Sequence, residues 1–310
     1  MSKKLSELLK NLPVFATSAT FIESDVLIRE LKLDSRTLAP GDLFLAYKGT
    51  HLDGKDFIQQ AFNNGASAVL TDEPYELKTD QIIIHVKNLS QYISTLAATF
   101  YGNPSEKQNI SVITGTNGKT TCSYLLAQLI YHLNNHQADV GLISTIGYGS
   151  IADLLKNSKF TPLTMTTPEP ILLQKILNDY EVSNVHDICM EGSSHALDQN
   201  RLNAVNIKTA VFTNLTHDHL DYHKDIESYY LAKRKLFYFA SVQCNVINID
   251  DAYGRRLVSE LLADKPNKNK PIIYTLDKNN LENFKQADLS YLFCKGISFK
   301  TQGETSTNLI

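Results

Sequence analysis

Nowhere in the 310 residues does an apolar run approach the roughly 18 needed to span a membrane. The opening stretch "MSKKLSELLKNLPVF" is basic, yet it has neither a long apolar core nor a small-residue cleavage site. Both absences exclude membrane insertion and lead to the expectation of a cytoplasmic, soluble globular protein. A dense basic block is missing too: 30 Lys and Arg stand against 33 Asp and Glu, a net charge of −3. A nucleic-acid footprint therefore has no support, and small molecules are the expected partners of a monomer. Cysteine is scarce. Cys122, Cys189, Cys244 and Cys294 include no C-x-x-C pair, which excludes the usual zinc and redox spacings and leaves buried, reduced thiols. Internal repeats and low-complexity segments are also lacking.

What is present is enough apolar material, 43% of residues, for a sizeable core in each of two domains. From about Ser105 onward the short β-branched runs "NISVIT", "DVGLIS", "VHDICM", "IKTAVFT", "CNVINI" and "PIIYTL" read as buried strands. Between them, "TTCSYLLAQLIYHLNN", "PEPILLQKILNDY", "DIESYYLAKRKLFYFA" and "DAYGRRLVSELLAD" carry apolar residues at helical spacing. Such alternation predicts a mainly parallel sheet covered on both faces, with ligands beyond the carboxyl ends of its strands. The first hundred residues read as a smaller α/β domain, with "DSRTLAPGDLFLAYKG", "DFIQQAFNNGASAVLTD", "IIIHV" and a helix ending near Tyr101. The turn-rich "YGNPSEKQN" is the natural linker, giving expected domains at 1–104 and 105–310. The fold class is α/β.

Three stretches carry chemistry. In "VITGTNGKTT", Val112 to Thr121, the ending matches a phosphate-binding loop. The common form G-x-x-x-x-G-K-[ST] needs a glycine where Ile113 stands, whereas the nearest is Gly115, so the loop is two residues short. Gly115 follows a predicted strand and Lys119 opens a helix, so the N–H groups of Asn117 to Thr120 are expected to face an anion at the helix N-terminus. Lys119 can reach phosphates and the Thr120 hydroxyl can ligate Mg²⁺; the alternative is a Gly-rich turn with a threonine cap. The second stretch, "MEGSSHALDQNRL", puts Glu191 at a strand end, where a carboxylate can hold Mg²⁺ or serve as a cap or ion-pair partner. The third, "TNLTHDHLDYH", spaces His217, His219 and His223 as H-x-H-x₃-H, a pattern open to zinc, while Asp218 and Asp221 favour Mg²⁺ with nucleotide.

Together these stretches resemble the Mur ligases, ATP-dependent amide ligases of peptidoglycan assembly, whose phosphate loop has the shortened form "TGTNGKTT". With "LDSRTLAPGDLFLAYKG", "TMTTPEP" and "TNLTHDHLDYHKDIESYYLAKRKLF" the resemblance is to the MurE branch, and it runs from about Leu33 to the end. It implies that Gly115, Thr116, Asn117, Gly118, Lys119, Thr120 and Thr121 bind ATP and that Thr120 and Glu191 hold one Mg²⁺. It also implies that His219, with Glu191, holds a second Mg²⁺ and that Lys233 is carbamylated by CO₂ to join them. On its residues alone Lys233 is a solvated helix lysine. Catalytic roles fall to Lys119 and Lys233. Substrate-binding positions are Ser35, Thr166, Thr167, Ser194, Gln199 and Arg201, and the implied partners are UDP-N-acetylmuramoyl-L-alanyl-D-glutamate and a diamino acid, diaminopimelate or lysine. Lys55 and Gly192 depart from the branch's usual histidine and apolar residue. Other ligases on this scaffold, such as MurF or folylpolyglutamate synthase, and a binding protein without catalysis are the rival readings. The resemblance also implies a third, amino-acid-binding domain. Its "DNPR" signature is not in these residues, so residues 1–310 alone are expected to bind ligands without forming tripeptide.

Overall fold

The computed structural model describes residues 2–10, 12–17, 25–49, 52–75, 81–156, 159–264, 270–284, 289–293, 297–301 and 304–309. They form two compact units. Cys294 lies outside the described residues; Cys189 is buried, and Cys122 and Cys244 are half-buried free thiols.

One unit comprises Met1–Lys107 together with Pro168–Ser183 and Gln199–Val205. Strands β1 (Lys3–Lys4) and β3 (Leu27–Ile28) make a short antiparallel pair. The main sheet runs β2 (Val14–Thr17), β7 (Ile83–Val86), β6 (Ala68–Thr71), β5 (Asp42–Ala46), β4 (Glu30–Lys32), with only the β2–β7 pair antiparallel. Strand alternation splits β5 between two cores. Leu43 and Leu45 join Leu31, Leu70, Leu96 and Phe100, while Phe44 and Ala46 join Ile58, Ala61 and Val69. The helix Pro170–Val182 starts on a proline, whose missing N–H costs nothing at the first helical position, and it packs on the helix Ile93–Tyr101. Ser94 ties in the segment 199–205, its hydroxyl donating to Arg201 O (3.1 Å) and accepting from Ala204 N (3.0 Å).

The other unit comprises Gln108–Thr167, Asn184–Asp198 and Asn206–Ile310. Its strands are β8 (Asn109–Thr114), β9 (Val140–Ser144), β10 (Gly147–Ser150), β11 (Asp187–Glu191), β12 (Ile207–Phe212), β13 (Cys244–Asn248), β14 (Ile272–Thr275) and β15 (Tyr291–Phe293). They lie in the order β10-β9-β11-β8-β12-β13-β14-β15, parallel except for β10. Strands β16 (Ile297–Thr301) and β17 (Glu304–Leu309) pair with each other. The strands expected from apolar runs are all present, within a residue or two at their ends. The expected helix over Asp225–Ala240 stops at Arg234 and tightens into a 3₁₀ turn, Lys235–Tyr238, which buries the consecutive Leu236 and Phe237.

Candidate active site

Strand β8 sits centrally, flanked by β11 and β12, with Ile113 opposite both Glu191 and Val211. Their carboxyl ends therefore deliver the phosphate-loop stretch, Glu191 and the histidine stretch to one edge of the sheet. This is the crevice position where open α/β sheets bind ligands.

The loop Gly115–Gly118 connects β8 to the helix Lys119–Leu133. Gly115 has φ +148°, and a Cβ there would lie 1.9 Å from Thr213 Oγ1. Only glycine fits. Gly118 is left-handed at φ +83° and turns the chain into the helix. The segment after β12 braces the loop. Thr116 N donates to Asn214 O (2.8 Å), Asn117 N to Asn214 Oδ1 (3.0 Å), and Thr213 Oγ1 to Asn117 O (2.7 Å). The Asn117 N–H, expected to face an anion, is thus spent on Asn214. Those of Gly118, Lys119 and Thr120 remain at the helix N-terminus, where the first turn has no intrahelical acceptors. Lys119 Nζ folds over the loop and donates to Gly115 O (3.0 Å) and Thr116 O (2.8 Å). Burial lowers its pKa, against the opposing pull of Glu191 and Asp218. Thr120 is half-buried and Thr121 exposed.

Glu191 is fully buried, and its carboxylate accepts from Thr145 N (2.9 Å) and Thr145 Oγ1 (3.3 Å). Its carbonyl accepts from Thr167 Oγ1 (2.8 Å), which in turn accepts from Ser193 N (3.0 Å). Thr167 is buried with its hydroxyl engaged on both sides, so it braces the Glu191 turn. Thr166 Oγ1 lies 3.1 Å from Thr145 Oγ1, within hydrogen-bond distance. Ser194 Oγ is buried without a hydrogen-bond partner among the described residues.

Lys233 is not solvated. On the helix Ile226–Arg234 it is 1% exposed, donates to Gly115 O (2.8 Å) and lies 4.4 Å from the centre of the Tyr229 ring. Burial first, and the Lys119 cation second, push its pKa well below the usual lysine value. Two lysines from distant segments therefore share the Gly115 carbonyl. His219, left-handed at φ +52°, has a half-exposed ring 3.5 Å from Asp218 and 4.9 Å, centre to centre, from the ring of His195. His223 is buried, its Nε2 has no partner among the described residues, and burial followed by His195 lowers its pKa. Among the described residues no three His, Cys, Asp or Glu side chains converge on a point, so the H-x-H-x₃-H spacing does not assemble a zinc site. No described helix is long and apolar enough to cross a membrane.

The model for the Mur ligase middle domain matches residues 113–308, nearly two thirds of the chain. The chain belongs to the Mur ligase family. A second model, Mur ligase family, catalytic domain, matches residues 27–101. The UDP-N-acetylmuramoyl-L-alanyl-D-glutamate–2,6-diaminopimelate ligase of Pseudomonas putida is 40% identical over 91% of this chain and 55% of its own length. That of Coxiella burnetii is 42% identical over 77% of this chain and 47% of its own. This Mur ligase chain thus spans about half the length of the curated relatives it matches. A solved structure of a ligase with the same name superposes with a TM-score of 0.72 at 29% identity, covering 90% of this chain and 53% of the other. MurF from Acinetobacter baumannii shares the fold, with a TM-score of 0.61 at 15% identity.

The remaining positions expected to bind substrate lie in the unit of this Mur ligase chain that contains Met1–Lys107. Ser35 is buried, donating to Gln60 Oε1 (2.8 Å). Arg201 donates through Nε (3.0 Å) and Nη2 (2.6 Å) to Gln199 Oε1. Lys55 pairs with Glu73 (3.4 Å). Thr145, Thr213, Asn214 and Tyr229 were not singled out from the sequence. Thr213 and Asn214 begin the quoted "TNLTHDHLDYH", which was a signal, but nothing near Thr145 points across 46 residues to Glu191.

Proposed function

We propose that the chain is the UDP-substrate-binding and nucleotide-binding part of a cytoplasmic ATP-dependent ligase of peptidoglycan precursor synthesis. The ligase joins a diamino acid, diaminopimelate or lysine, to UDP-N-acetylmuramoyl-L-alanyl-D-glutamate. The observation that carries this reading is the convergence of Lys119, Lys233 and Glu191 around one glycine-lined loop at the strand ends. It is supported by relatives whose names state that activity. In the division of labour we propose, the expected domain 1–104 serves the UDP substrate, while 105–310 serves ATP and supplies the remaining UDP-dipeptide positions.

A carboxylate is a poor acyl donor because oxide would have to leave. ATP supplies a phosphoryl group that gives the D-glutamate side chain phosphate as its leaving group, which an amine then displaces. The chain's task is to hold two anions together. The free N–H groups of Gly118 to Thr120 and the Lys119 ammonium offset charge on the phosphates, with Gly115 to Thr121 forming the cradle. Mg²⁺, if bound, would supply positive charge against the phosphates as negative charge develops. The donor types suit such an ion, with oxygen ligands about a fully buried carboxylate: Thr120 and Glu191 would hold one, and Glu191, His219 and a carbamate on Lys233 the other. Lys233 is suited to CO₂ because burial disfavours its ammonium form and so favours the neutral amine that reacts. The nitrogen lone pair adds to the carbon of CO₂, an N–C bond forms as a C=O π pair moves to oxygen, and the nitrogen releases one proton to solvent. A buried would-be cation becomes an anion. Ser35, Thr166, Ser194, Gln199 and Arg201 are assigned to the UDP-dipeptide, Ser194 through its orphaned hydroxyl and Thr167 by holding the Glu191 turn.

Calorimetry with Mg–ATP and with the UDP-dipeptide, together with ¹³C NMR in labelled bicarbonate, tests the reading. Saturable binding of both ligands and a carbamate resonance lost in Lys233→Arg are expected. Failure to bind either ligand overturns it.

A further inference from the structure

Tyr229 reaches three parts of the proposed nucleotide site: the phosphate loop at Thr116, Lys233 and the histidine stretch. It lies one helical turn before Lys233 and is fully buried. Its hydroxyl is 3.2 Å from Thr116 Oγ1 in the phosphate loop. The face of its ring lies against Lys233 Nζ, and its centre is 6.1 Å from the His219 ring and 5.1 Å from the His223 ring. The direction of the hydroxyl contact follows from counting donors. Thr116 Oγ1 accepts from Thr216 N (2.9 Å); when its single proton goes to Thr216 O (3.3 Å), one lone pair is left for the phenol to donate to. A core ring packed only for its area needs no such partner. Here the polar tip ends on the loop and the apolar body ends on the lysine.

We propose that Tyr229 is a positioning residue with two separable tasks: its hydroxyl fixes the phosphate loop through Thr116, and its ring holds the Lys233 amine where CO₂ modifies it. The inference rests on the proposed function, since it takes the loop to bind nucleotide and Lys233 to carry carbamate. The ring packs against one side of Nζ and offers it only a weakly accepting π face, so Gly115 O is the hydrogen-bond partner that orients the amine. Thr116 is also the loop residue bonded to both Asn214 and Thr216. A phenol bonded to it acts on the loop's shape without approaching the ligand.

The test compares the full chain with Tyr229→Phe and Tyr229→Leu by two readouts: the ¹³C carbamate signal as bicarbonate is raised, and calorimetric affinity for Mg–ATP. Tyr229→Phe keeps the ring and loses the hydroxyl. It is expected to follow the wild-type bicarbonate response while binding Mg–ATP roughly 3- to 10-fold more weakly, the loss of one neutral hydrogen bond. Tyr229→Leu loses both and is expected to need several-fold more bicarbonate for half-modification as well. A purely structural role would lower the melting temperature of both variants without separating the readouts. A Phe variant with wild-type nucleotide affinity, or a folded Leu variant with a wild-type bicarbonate response, overturns the proposal. If Leu does not fold, the Phe variant alone decides. A wild-type chain with neither carbamate nor nucleotide binding instead overturns the proposed function, and this inference with it.

Discussion

Lys233 keeps its amine where water does not reach, and that has a sign that can be measured. In the unfolded chain its pKa returns to about 10.5, whereas in the fold it lies well below that value. Between the two values the unfolded state holds more protons, so stability rises with pH across that window, by at most about 1.4 kcal/mol per pH unit. Below the folded value the penalty is complete and the slope vanishes. Urea midpoints measured in CO₂-free buffer should therefore climb toward alkaline pH in the wild type and climb less in Lys233→Met, which cannot take a proton. Lys233→Arg is a sharper case, because a guanidinium cannot be neutralised and cannot become a carbamate. Ligase turnover, measured in a protein that has it, should be lost, together with the carbamate resonance.

The decisive elements are turns at strand ends, and they differ in how they tolerate a methyl group. At Gly118 an added Cβ meets only Cys122 Sγ at 3.9 Å, so alanine pays for left-handed backbone alone, roughly 1–2 kcal/mol. At Gly115 the same atom collides with Thr213 Oγ1 and also approaches Asn214 N at 3.0 Å. Denaturant titration should show Gly115→Ala costing at least about twice as much as Gly118→Ala. Gly115→Ala should also abolish measurable Mg–ATP binding. The same elements explain what could be read in the sequence. Strands announced themselves as β-branched runs; Glu191 ends its strand and Lys119 and His219 follow theirs in the next loop, so order along the chain revealed their neighbourhood. The hairpin strand β10 did not, because "GYGS" has no apolar run and the pairing of Tyr148 with Thr161 is made only in the folded chain. The burial of Lys233 was equally hidden. A lysine on an amphipathic helix reads as solvated until the Gly115 carbonyl, 118 positions earlier, comes to meet it. Thr145 and Tyr229 act through such distant contacts too, and no local pattern encodes them.

For the molecule as a whole, the proposed ligand positions divide between the two compact units. Ser35, Gln199 and Arg201 belong to one, and the phosphate loop, Thr166, Thr167, Glu191, Ser194, His219 and Lys233 to the other. Lys119→Ala should weaken Mg–ATP binding by at least about tenfold, as expected for losing a charged contact, while leaving affinity for the UDP-dipeptide within about twofold. Arg201→Ala should do the reverse. Calorimetry on both variants checks the pair, and equal loss of both ligands in either variant would contradict the assignment.

The bracing of the phosphate loop by the segment after β12 has a consequence in time. Thr116 N–H, Asn117 N–H, Thr213 N–H and Thr216 N–H all have acceptors within the protein. Their protons should trade with deuterated solvent slowly in the empty protein, and adding nucleotide should hardly change the rate. The amides of Gly118, Lys119 and Thr120, which have no intrahelical acceptors, should exchange fast when empty and slow sharply when phosphate arrives. The loop's ordering cost is met during folding, so little of the nucleotide's binding energy goes to shaping its own cradle.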